Sequence, residues 1–303
     1  MTATPPSKTN SPTRSTTIRP VSTGQLLLRR LLSLGVVCGA LGGGGYAVWL
    51  NVREHVLESE QYRLTLDHVD ITPLPEWIRS DVKAEVIRDA EASGEISVLD
   101  EDLTKRIHQA FAAHPWVAKV VRVAKLPPAR LEAELVYRKP VCMVQVADGL
   151  FPIDIEGVLL PTADFSPHEA ARYPRLSNAP LSVEPPAGSV WREQRVFAAA
   201  QLAGALSEVW EELNLEQFEP LAEPGASALD FQLLTKKGTR IFWGPAPAED
   251  EASQALAKAK VARLKQYFAE RGTLEGPHGP QDLDLRHGAE IHAQPRTAFK
   301  PSR

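Results

Sequence analysis

The sequence predicts an α+β protein built behind an N-terminal transmembrane helix. Three observations predict it. A twenty-residue run without a charge occupies 31–50. Over 60–138 the apolar period switches between that of strands and that of helices, in the order strand, helix, helix, strand, strand. Over 139–292 short extended runs dominate and two longer helical patterns interrupt them, which reads as a second, mainly β domain with two helices.

The uncharged run, LLSLGVVCGALGGGGYAVWL, would measure about 30 Å as a helix, the thickness of a bilayer's hydrocarbon core. Arg29 and Arg30 bound it on one side; Asn51, Arg53 and Glu54 bound it on the other. Tyr46 and Trp49 lie near its far end, where aromatic rings favour the lipid–water boundary. Upstream stand Lys8, Arg14, Arg19, Arg29 and Arg30, with no Asp or Glu in 1–30. Positive flanks stay inside, so the expectation is a single span over 26–52 with the N-terminus in the cytoplasm and the body outside. A cleaved signal peptide competes, but the run is long for one and ends in bulky residues. Lipid attachment at Cys38 is disfavoured by Val37 and Gly35. A buried soluble helix is disfavoured by six glycines, each costing about 1 kcal/mol in a water-exposed helix. Gly35, Gly39 and Gly43 recur every four residues, on one face. They read either as a helix-packing surface for self-association or as the ordinary small residues of such helices.

Composition bounds the remainder. A net charge of −4, with 43% hydrophobic and 24% charged residues, describes an ordinary globular body without a nucleic-acid-binding patch. Residues 1–25 are rich in Ser, Thr and Pro and read as a disordered cytoplasmic tail. Of two cysteines, Cys38 falls in the span and Cys142 in the body, so no internal disulfide is expected.

Along the body, 62–72 alternates as a strand and Pro73 and Pro75 end it. From Trp77, Ile78, Val82, Val86 and Ala90 keep helical spacing until Gly94. Asp100 is placed to cap a second helix burying Leu103, Ile107, Ala110 and Phe111, and His114-Pro115 closes it. Two strands follow around Pro127-Pro128. In the second, Leu131, Ala133, Leu135 and Tyr137 share one face while Arg130, Glu132, Glu134 and Arg138 share the wet one. Beyond, 191–213 reads as a helix and 231–243 as a hairpin over Lys237-Gly238. A further helix covers 251–270, with Ala257, Val261, Leu264 and Phe268 inward.

The strand–helix–helix–strand–strand order, with H-P-W-V at 114–117 and Y-R-K-P-V at 137–141, resembles a POTRA domain over 60–138. The Asp148-Gly149 turn, then Asp154, Gly157 and Pro161, YPRLSNAP at 173–180 and DLDLR at 282–286 follow in an order similar to the FtsQ/DivIB bacterial cell-division proteins. TPLPEW at 72–77 and His287 depart from that family's pattern. The resemblance covers about 26–292 and makes 139–292 an FtsQ-like β domain, with 293–303 a flexible tail. It implies a scaffold without catalysis in a bacterial inner membrane, its C-terminal domains in the periplasm, that binds other membrane-anchored division proteins. It also implies that the last strand, Arg286, His287, Gly288, Ala289, Glu290, Ile291 and His292, lies at a sheet edge and takes a partner strand.

Catalytic patterns are scarce in the sequence itself. It has no G-x-S-x-G, no H-E-x-x-H, no phosphate-binding glycine loop and no paired cysteines at metal spacing. His287 and His292, five apart on an expected strand, would point to opposite faces. Asp282 and Asp284 would share a face, as an acidic pair or as separately solvated groups. Trp191, Trp210 and Trp243 read as core rather than as a sugar platform. No cofactor or metal is expected. An envelope-assembly accessory and a membrane-tethered wall hydrolase are the alternative functions.

Overall fold

The structure, a computed structural model, describes residues 34–36, 38–50, 66–92, 100–127, 130–147, 149–181, 185–221, 225, 227, 229–287 and 290–296. The chain forms two compact units, Met1–Gln61 and Tyr62–Arg303. In the first, 34–36 and 38–50 are helical, and the Tyr46 and Trp49 rings stack with centroids 6.0 Å apart. Among the described residues no helix is long and apolar enough to cross a membrane. The tail 1–25 and the rest of the expected 26–52 span lie outside the described residues. A Cβ placed on Gly35, Gly39 or Gly43 meets nothing within 4 Å.

The second unit is mixed α+β, with two sheets and two cores. The smaller sheet comprises β1 (Val69–Ile71), β2 (Val117–Leu126) and β3 (Arg130–Tyr137) in the order β1-β3-β2. Helices α1 (Val82–Ala92) and α2 (Leu103–Ala113) cover it. The alternation in β3 puts Leu131, Ala133 and Leu135 at 0–4% exposure against Val82, Val86, Ile107 and Phe111. Trp116 is wholly buried there.

Three local expectations give way. Of the strand expected over 62–72, residues 62–65 lie outside the described residues, 66–68 form a 3₁₀ turn, and β1 pairs with β3 from Val69↔Leu131 to Ile71↔Ala133. The first helix starts at Val82 rather than Trp77, since the Asp81 carboxylate accepts from Ala84 N–H and fixes the start. Asp102, not Asp100, stands at the N-cap of α2; Asp100 instead accepts from Asp102 N–H and pairs with Arg106.

The larger sheet has the order β11-β10-β9-β8-β7-β6-β4-β5. Its strands are β4 (Pro140–Val146), β5 (Gly149–Asp154), β6 (Arg175–Leu176), β7 (Leu215–Pro220), β8 (Asp230–Thr235), β9 (Arg240–Pro245), β10 (Gln281–Asp284) and β11 (His292–Pro295). A single turn of helix, α3 (Pro167–Ala170), sits between β5 and β6 with a Ser166–Glu169 capping box. Helices α4 (Gln194–Leu206) and α5 (Glu251–Arg271) share the core with Phe218, Phe231, Leu233, Ile241, Trp243 and Leu283.

The hairpin over Lys237-Gly238 is present, with Gly238 at φ 91. Helix α5 falls within one residue of its expected bounds: the Asp250 side chain accepts from Ser253 N–H, and Gly272 ends it at φ 71. The helix expected over 191–213 stops at Leu206. Val209, Trp210 and Leu213 stay buried in turns that Asn214, at φ 53, closes.

Candidate partner-binding edge

Among the described residues strand β11 pairs only with β10, antiparallel, with Asp284↔His292, Leu283↔Ala293 and Asp282↔Gln294 opposed. The bond from Arg296 N–H to Pro280 C=O sets the phase of this ladder. Antiparallel pairs alternate, so His292 and Gln294 face β10 while the N–H and C=O of Ala293 face away. Leu285 N–H confirms the phase by donating to Phe242 C=O on the opposite side of β10. Pro295 contributes a carbonyl to the outer row and no N–H. All four residues of β11 are exposed.

The edges at β5 and β2 are better protected. At the far end of the large sheet, β5 is bridged by the chain that follows it, with Ile153 opposite Leu159 and Leu160 N–H donating to Pro152 C=O. In the small sheet, outer strand β2 carries two register shifts and exposes Lys119, Arg122 and Lys125, features that discourage strand addition.

The expected strand over 286–292 is therefore displaced. Arg286, His287 and Glu290 lie in bends, Ile291 in the connection, and only His292 belongs to β11; Gly288 and Ala289 lie outside the described residues. Residues 293–295, expected in a flexible tail, complete the strand. The reason is geometric: β10 ends at Asp284, and an antiparallel return needs a connection before it can pair. Ile291 is half-buried and packs against the larger core, so it is not the free edge contact expected of it. His287 and His292 sit on different elements, and the opposite-face argument for them lapses.

Asp282 and Asp284 do share a face, and each has its own cation. Arg240 reaches Asp282 with Nε at 3.1 Å and a terminal nitrogen at 2.7 Å. Arg286 chelates Asp284 from Nε and a terminal nitrogen at 2.6 Å, and its backbone N–H donates to Oδ1 at 2.8 Å. Burial works to raise the Asp284 carboxyl, but the Arg286 bonds and charge, with His287 adding, hold it below the ordinary range. Both guanidiniums lie over the Phe242 ring, Arg240 at 4.6 Å and Arg286 at 4.9 Å from its centroid. This ladder fixes β9 and β10 side by side and gives the edge a rigid backing. Sequence reasoning named both aspartates and Arg286 but not their pairings, and it missed Arg240, which comes from the neighbouring strand.

Trp191, Trp210 and Trp243 are 1–4% exposed and belong to the core. Among the described residues no group of His, Cys, Asp and Glu is placed to hold a metal ion. No protein-family model matches the chain, and no curated protein matches it. Among solved structures it is similar to the major extracytoplasmic domain of the trans isomer of the cell division protein DivIB from Geobacillus stearothermophilus. That similarity is at 14% identity, 45% of this chain, 93% of that one, and a TM-score of 0.27. A superposition at that score carries no weight for function.

Proposed function

We propose that the protein is a non-enzymatic cell-division scaffold, anchored in the inner membrane by residues 26–52. In this reading its exported domains, a POTRA domain over 60–138 and an FtsQ-like domain over 139–292 extended to Pro295, bind other membrane-anchored division proteins and help organise septal wall synthesis. The observation that supports binding is the outward-facing Ala293 backbone on an exposed, rigidly backed edge strand. A partner segment in extended form adds there by main-chain bonds. The division assignment rests on the ordered sequence resemblance.

A wall hydrolase is the weaker reading, because the acidic pair at Asp282 and Asp284 is consumed by arginines. The experiment is a fluorescent fusion of the full chain, imaged in dividing cells, combined with capture of crosslinked division proteins. Ala293→Pro removes an outward N–H from an exposed position. It should abolish capture while leaving the melting temperature within a few degrees. Wild-type fusion spread evenly around the envelope would remove the division role. Undiminished capture by the proline variant would remove the edge.

A further inference from the structure

A cavity of about 320 Å³ opens beside the loop that follows β5, where it meets the turn before α1. Three rings line it. Trp77 is pinned by its indole N–H, which donates to Arg138 C=O at 3.0 Å. Phe165 meets Tyr173 edge to face, 5.8 Å between centroids, and lies 6.1 Å from Trp116. These contacts hold the rings in place before anything binds.

The charges around the rings are unbalanced. Four carboxylates, Glu76, Asp164, Glu169 and Glu211, line the cavity against two guanidiniums, Arg79 and Arg172. Asp164 is satisfied internally by Ser80 and Trp116, and Glu169 is bonded by Ser166 and by Arg79. Arg172 and Glu211 are 3.5 Å apart but 65% and 70% exposed, a pair that water and salt weaken. Glu76 is exposed and has no hydrogen-bond or ion-pair partner among the described residues.

An anion entering here would meet Glu76 and compete with Glu169 for Arg79. A planar cation meets aromatic rings and an unpaired carboxylate, the two kinds of group a guanidinium satisfies together. We propose that this cavity receives an arginine side chain presented by a partner polypeptide. Glu76 is its counter-ion and Trp77, Phe165 and Tyr173 are its apolar walls. The site uses nothing of the β11 edge, so either can fail without the other.

The test titrates the full chain with N-acetyl-Gly-Arg-Gly-amide at low salt, read by calorimetry and tryptophan fluorescence. Its citrulline and aspartate counterparts serve as comparison peptides. Saturable binding of the arginine peptide is expected, about threefold weaker in Glu76→Gln and absent in Glu76→Arg, whose own guanidinium occupies the cavity. Both variants change an exposed side chain without described partners, so their circular dichroism should match the wild type. No saturation by about 20 mM peptide overturns the proposal. Equal binding of the citrulline peptide, or unchanged binding by Glu76→Arg, does the same. Preference for the aspartate peptide would give the cavity to an anion held by Arg79 and Arg172.

Discussion

The indole N–H of Trp116 donates to Oδ2 of Asp164 at 2.5 Å, tying the end of α2 to a loop 48 residues further along the chain. Asp164 is 5% exposed and also accepts from the backbone N–H groups of Ser80 at 2.7 Å and Arg79 at 3.2 Å, and from the Ser80 hydroxyl. Leu160 and Phe165, from the same loop, pack into the smaller core. The chain that leads out of β5 thus closes the first sheet's core as well as continuing into the second sheet.

Removing that carboxylate strands the buried Trp116 indole N–H and the part-buried donors of Arg79 and Ser80 at once. Asp164→Ala should lower the unfolding free energy by about 3 kcal/mol, and Asp164→Asn, which keeps one acceptor oxygen, by about half as much. Urea denaturation of the full chain measures both. A loss under about 1 kcal/mol for the alanine variant would mean that the loop is not held by this residue.

Cys142 in β4 is wholly buried, and burial pushes its thiol up to about 12, against a weaker lowering by the Leu176 backbone. At pH 8 the folded chain should therefore keep Cys142 unreactive toward an aromatic-disulfide reagent. A Cys38→Ser variant should not react until denaturant is added. Prompt reaction of that variant would reveal opening of the sheet around β4.

The five cations and absent acids before residue 31 set the expected orientation. A reporter active only outside the cytoplasm should work when fused after Arg303 and fail when fused at Thr23. The reverse pattern would overturn the orientation and the function built on it.

Legibility from sequence follows the range of the interactions involved. Asp250, Gly272 and Lys237-Gly238 act on their own neighbours, so α5 and the β8–β9 hairpin could be read almost to the residue. Asp154 and Gly157 are legible for the same reason: the aspartate accepts from Glu156 and Val158 N–H, and the glycine sits at φ 73. The length of β1 depends on where β3 ends its pairing, 62 residues away, and nothing local in 62–72 reports it. The start of β11 depends likewise on the loop leaving β10. Asp164 reads as a loop aspartate until Ser80 and Trp116 are brought to it. Its neighbour Ser166 did carry a local signal, the S-x-x-E of the capping box, which marks the following turn of helix.

Lys260 was equally illegible, because a lysine among Ala257, Val261 and Leu264 reads as the solvated face of α5. It is 3% exposed, donates to Trp243 C=O at 2.5 Å, and holds its ammonium 5.1 Å from that ring's centroid. Burial pushes its pKa below the ordinary 10.5, with Arg263 adding, while Asp230 and Asp284 pull it back up. The folded value thus lies below the unfolded one. Between the two, the unfolded chain binds more protons than the folded chain, so unfolding free energy rises with pH across that window. Below the window the burial penalty is fully present. Lys260→Met keeps the length and drops the charge, so at pH 7 it should shift stability by less than about 1.5 kcal/mol in either direction. Lys260→Ala empties space beneath Trp243 and should cost about 2–3 kcal/mol. Urea unfolding at pH 7 and pH 10 separates charge from volume, since other groups titrate alike in both chains. The wild type should gain stability relative to Lys260→Met as the pH rises toward 10.5. A difference constant across that range would show that burial places no strain on the Lys260 ammonium.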